Sequence, residues 1–135
     1  MKNLYILLFS VLIISCTGSD DDPNLENISS VNLEGEWNLV NISGGLLGMD
    51  QNFEIGTIIW DFDVSDQMVT VTNNNTIEGV FDSFPTGVYP YSISAPADID
   101  ELIVNDVNLG IFILGTRSFS VNELFEDGFQ IRFER

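Results

Sequence analysis

Ile58-Ile59-Trp60-Asp61-Phe62-Asp63 and Phe129-Gln130-Ile131-Arg132-Phe133-Glu134 decide the fold. In the first, Ile58, Trp60 and Phe62 share one side while Ile59 and Asp61 take the other. In the second, Phe129, Ile131 and Phe133 oppose Gln130, Arg132 and Glu134. A period of two residues is that of a β-strand with one buried face and one wet face. This pattern belongs to antiparallel sheets; strands of parallel sheets are apolar on both sides.

Outward from these two stretches the same alternation recurs. Tyr89, Tyr91 and Ile93 share a face, as do Phe119 and Val121. Eight strands are predicted, over 35–42, 56–63, 67–73, 87–94, 101–104, 109–114, 117–122 and 129–134. Turn-forming residues separate them, such as Val64-Ser65-Asp66, Asn73-Asn74-Asn75 and Glu126-Asp127-Gly128. No segment carries a sustained 3.6-residue period with caps, and the only helical expectation is a short turn within 44–53. Short connections between successive strands favour up-and-down order, and closure removes the exposed edges. The expected fold is all-β, an eight-stranded antiparallel up-and-down barrel.

Composition narrows the function classes. With 44% hydrophobic residues and ten Phe in 135 residues, the chain can fill one core. The charge is one-sided, with 21 acids against 4 bases and a formal −17. Phosphate recognition depends on clustered Lys and Arg, so nucleic acid is excluded as a partner. The acidity means solubility through self-repulsion, or attraction of cationic partners such as basic peptides or divalent ions. There is no His, and no Lys beyond Lys2, which removes imidazole acid–base chemistry and Schiff-base lysines. One Cys permits neither an intrachain disulfide nor a thiolate zinc site. Asp61 with Asp63, and Asp98 with Asp100 and Glu101, present oxygens of the kind hard cations take. No Asp-x-Asp-x-Asp-Gly loop accompanies them, and they read as surface acids. No catalytic constellation, cofactor or metal site is expected, and the chain is not read as an enzyme.

Residues 1–15 have the anatomy of a secretory signal peptide: Lys2 at the start, an apolar run over 4–14 interrupted only by Ser10, and small Ser15 at the end. The run is too short to span a bilayer, which needs about 20 apolar residues. Residues 16–31 follow as an acidic tether, opening Cys16-Thr17-Gly18-Ser19-Asp20-Asp21-Asp22. The barrel domain is assigned to 32–135.

Ile13-Ile14-Ser15-Cys16 resembles a bacterial lipobox. The resemblance implies cleavage before Cys16, attachment of diacylglycerol to its thiol and acylation of the new amine with palmitate-type chains. Two or three chains anchor stably where one is marginal. The acidic run after the cysteine resembles the export signal of surface lipoproteins in some Gram-negative bacteria. Thr17 stands where an Asp would retain an enteric lipoprotein at the inner membrane. The expected location is the cell envelope, anchored by lipid to the outer membrane, facing the periplasm or the surface.

Leu33-Glu34-Gly35-Glu36-Trp37, followed by Leu39, resembles the G-x-W opening strand of lipocalins and fatty-acid-binding proteins. The whole stretch 33–135 is similar to the short lipocalin-like lipoproteins of Gram-negative bacteria, with Trp60-Asp61-Phe62 as a W-x-F strand. That family packs its Trp at the closed end of the barrel beneath a basic side chain from the last strand. Arg135 shares parity with Phe129, Ile131 and Phe133, so the resemblance pairs it with Trp37, while Arg132 faces outward.

The predicted inward set is led by Trp37, Trp60, Phe62, Tyr89, Tyr91, Phe119, Phe129 and Phe133, which are also the candidate ligand-binding residues. Leu39, Ile58, Val69, Val71, Ile93, Leu102, Val104, Ile111, Ile113, Val121 and Ile131 complete the set. An eight-stranded barrel is just filled by side chains or holds one small ligand. Two readings stay open: a barrel carrying a small apolar molecule, with Tyr89 or Tyr91 supplying a hydroxyl, or a filled barrel whose acidic exterior meets a cationic protein. Leu46, Leu47 and Met49 would be a lid or plug at its mouth.

Overall fold

The computed structural model describes residues 32–123 and 127–135; the expected signal peptide, Cys16 and the expected acidic tether lie outside the described residues. Nine strands follow one another: β1 (Gly35–Gly44), β2 (Met49–Asn52), β3 (Ile58–Asp63), β4 (Met68–Asn73), β5 (Gly87–Ser94), β6 (Glu101–Val104), β7 (Val107–Leu114), β8 (Ser118–Asn122) and β9 (Phe129–Glu134). All pairings are antiparallel, and β1 pairs with β9 to close the sheet. Eight of the strands form the wall of an up-and-down barrel. Among the described residues there is no α-helix, only a 3₁₀ turn at Pro96–Asp98.

The ninth strand, β2, replaces the short helical turn expected within 44–53. Along one edge β1 pairs with β9 throughout its upper half. Along the other it pairs first with β3, from Gly35 to Asn38, and then with β2, from Asn41 to Gly44. β2 and β3 are therefore successive partners on the same edge, interrupted by residues 53–57. Gly45 and Gly48, both at positive φ, make the reversal into β2. Met49-Asp50-Gln51-Asn52 contains no β-branched or aromatic residue, so it carries no strand signal. Side chains supply the missing support: Asn41 Nδ2 donates to Asp50 Oδ1 at 2.8 Å and to Asn52 Oδ1 at 3.0 Å.

Parity correctly assigns most of the interior and fails at two bulges. In β1 the register shifts between Leu39 and Asn41, so Leu39 and Ile42 are both fully buried despite odd spacing. In β7 a shift lies opposite Glu101–Ile103. Gly110 stands there at φ +95°, where an added Cβ would collide with the Asn122 carbonyl. On either side of it Leu109 and Phe112 point inward, and Ile113 is 62% exposed with Ile111 half-buried. Parity alone places Ile111 and Ile113 on the inner face, and the bulge overturns that. Ile93 is likewise exposed rather than inward, at the far end of β5 where the barrel wall ends.

The turns divide the barrel into two ends. The connections β3–β4, β5–β6 and β7–β8 gather with residue 33 and Arg135 at one end. Asp63 Oδ1 caps the first of these turns, accepting from Ser65 Oγ at 2.6 Å and from the backbone N–H groups of Ser65 and Asp66. These bonds, led by the Ser65 hydroxyl, hold its carboxyl below the ordinary 3.8. The connections from β1 through β2 to β3, and β4–β5, β6–β7 and β8–β9, gather at the other end. Of these, β6–β7 is a two-residue turn, Asn105-Asp106, both at positive φ as a hairpin of this type requires.

Candidate functional site

The two ends are built differently. At the first, Trp37 is fully buried and its Nε1–H donates to the Leu33 carbonyl at 2.7 Å. The Arg135 guanidinium carbon lies 4.1 Å from the Trp37 ring centroid. Arg135 is held there by donating to the carbonyls of Glu34 at 3.2 Å and Thr116 at 3.3 Å. Above this pair, Phe119 meets Trp37 edge-on at 5.0 Å and stacks on Phe133 at 4.3 Å. Phe62 packs against Tyr91 at 5.0 Å, and Trp60 against Phe133 at 4.9 Å. This half of the interior is filled. Arg132 lies on the outer face, 3.5 Å from Glu134.

The second end opens into a cavity of about 420 Å³. Ligand pockets run roughly 300–1,000 Å³. Its apolar wall comes from Val107 and Leu109 of β7, Phe129 and Ile131 of β9, and Phe81 and Phe84 of the β4–β5 connection. Phe81 stacks on Phe129 at 4.9 Å, and Phe84 stands edge-on to Trp60 at 5.6 Å and packs on Tyr89 at 5.2 Å. The β4–β5 connection is tied in place by its own polar groups. Asn73 Nδ2 donates to the Phe84 carbonyl at 3.1 Å, Asn75 Nδ2 to Asp82 Oδ2 at 3.1 Å, and the Tyr89 hydroxyl to the Pro85 carbonyl at 2.9 Å.

Few polar groups reach this cavity. Ser83 lines it at φ +73°, a conformation uncommon for a residue with a side chain, and its hydroxyl is buried without a protein partner among the described residues. Glu123 lines it too, with Oε2 accepting from the Phe129 N–H at 3.0 Å. The indole N–H of Trp60, whose ring meets Phe84 edge-on, is also buried and unpartnered among the described residues. A second depression of about 380 Å³, between residues 52–57 and 74–77, is lined mainly by Asn, Thr and Glu and offers no comparable apolar wall.

Of the eight candidate ligand-binding residues, the structure brings Tyr89 and Phe129 to the cavity. Trp37, Trp60, Phe62, Tyr91, Phe119 and Phe133 instead fill the closed half. Tyr89 rather than Tyr91 stands at the cavity, its hydroxyl engaged by Pro85. Phe81, Ser83, Phe84 and Glu123 escaped the sequence reading; two Phe three residues apart in a connection outside the strands were the signal. Leu46 and Leu47 are exposed at the tip between β1 and β2 and plug nothing, while Met49 packs against the core. Among the described residues no group of acids is placed to hold a metal ion.

No family model, curated protein or solved structure matches the chain. The eight-stranded barrel with one filled end and one hollow end therefore stands on its own geometry.

Proposed function

We propose that this chain is an outer-membrane-anchored, lipocalin-like lipoprotein whose barrel binds or carries a small apolar molecule, and that it is a binding module rather than an enzyme. The open-end cavity carries this reading. Its size suits a small ligand, its wall is largely aromatic and aliphatic, and a few polar groups converge on it, as in pockets generally. The filled closed end gives that pocket a rigid floor. The anchor rests on the signal-peptide anatomy and the lipobox-like Ile13-Ile14-Ser15-Cys16.

Titration of the purified full chain with Nile red, an uncharged apolar dye, tests the pocket. Bound dye should brighten and be displaced by unlabelled apolar competitors. Val107 lines the cavity and is 48% exposed, so Val107→Trp fills it from the rim on a strand that favours aromatics. That variant should lose most dye binding with an unchanged melting curve. Dye binding untouched by Val107→Trp would contradict the assignment. For the anchor, cells fed a labelled fatty acid should label the wild type and leave Cys16→Ser unlabelled; equal label in both would end it.

A further inference from the structure

The charges around the cavity are as one-sided as its wall is apolar. Among the described residues the only cations are Arg117, Arg132 and Arg135. Arg117 and Arg135 meet at the closed end, where Arg117 Nε donates to the Arg135 carbonyl, and Arg132 is on the outer face beside Glu134. None borders the cavity. The connections at the open end instead carry Glu54, Glu78, Asp82, Asp106, Glu123 and Asp127. Within the wall itself the one charged group among the described residues is Glu123.

A carboxylate that loses its water when a ligand covers it needs a partner for its charge. Glu123 Oε2 has the Phe129 N–H, and Oε1 accepts nothing among the described residues. A ligand carboxylate placed in this cavity would face Glu123 with no cation in reach, and like charges brought together out of water repel strongly. A ligand ammonium group would meet its counter-charge there and donate a charge-assisted hydrogen bond. The surrounding acids would also draw a cation toward the mouth.

Resting on the pocket reading above, we propose that the cavity selects apolar molecules bearing an amine, with the Glu123 carboxylate as the counter-ion for the ammonium head and Phe81, Phe84, Leu109 and Phe129 enclosing the apolar body. The ligand class is a cationic amphiphile, and free fatty acids are rejected.

Calorimetric titration of the purified full chain with decylamine, 1-decanol and decanoate, each below its micelle concentration, tests this with one chain length and three heads. Decylamine should bind about tenfold tighter than 1-decanol, and decanoate weakest. Glu123→Gln keeps an acceptor for the Phe129 N–H, so the fold should hold; the amine preference should vanish in it while 1-decanol binding is unchanged. Added salt should weaken decylamine binding alone. Decanoate binding as tightly as decylamine, or an amine preference that survives Glu123→Gln, would overturn the proposal and leave the apolar pocket standing. Silence from all three ligands would overturn the pocket and this inference together.

Discussion

The two ends of the barrel share strands, parity and hydrophobic character, yet one is solid and the other hollow. On β9, Phe133 and Phe129 point the same way; Phe133 is fully buried in the aromatic stack, while Phe129 lines the cavity. On β5, Tyr91 packs on Phe62 and Tyr89 borders the cavity. Parity decides which residues face the interior, and depth along the strand decides whether they meet other side chains or a space. At the closed end two indoles and several phenyl rings crowd together beneath short turns. At the open end the wall is completed by Phe81 and Phe84, which belong to no strand.

The largest expected effect separates the ends by stability. Phe119 touches Trp37, Phe62, Phe112 and Phe133, and Phe119→Ala should cost about 3–5 kcal/mol, a large share of a small domain's stability. Phe81 is 45% exposed, and Phe81→Ala should cost less than about 1 kcal/mol while weakening Nile red binding. Denaturant melts beside dye titrations read both; equal destabilisation by the two variants would erase the distinction. Arg135→Ala should fall well below Phe119→Ala, at about 1 kcal/mol from the lost cation–π contact, with dye binding unaltered.

The smallest effect is a titration. Burial first, then the charges of Glu34 and Asp63, raises the Tyr91 phenol above the ordinary 10.0. The folded chain therefore keeps this proton at a pH where the unfolded chain has released it. The contribution is intact below pH 10.0 and is lost as pH rises through the folded value. Melts across the alkaline range should show a steeper fall for wild type than for Tyr91→Phe, and identical slopes would show that Tyr91 is not held in this way.

The closed end was the more legible in sequence because its residues sit in regular strands. Trp37, Trp60, Phe62 and Phe133 follow from alternation alone, and the barrel follows from the number of alternating runs. Alternation is blind to bulges, which is why it places Ile111 and Ile113 inside and Phe112 outside. It is equally blind to β2, whose pairing is supported by polar side-chain bonds from Asn41 to Asp50 and Asn52 rather than by apolar alternation. The cavity was the least legible part. Its wall joins β5, β7 and β9 to a connection with no period, and Ser83 and Glu123 acquire meaning only from where that connection and the end of β8 come to lie.

The central claim is that the open end binds an apolar molecule while the closed end is purely structural. Two-dimensional NMR of the labelled full chain, titrated with 1-decanol, tests it residue by residue. Saturating shifts should appear at Phe81, Phe84, Leu109, Phe129 and Ile131, with Trp37, Phe119 and Arg135 unmoved. No saturable shift at the open end, or shifts as large around Trp37 as around Phe129, would contradict the account.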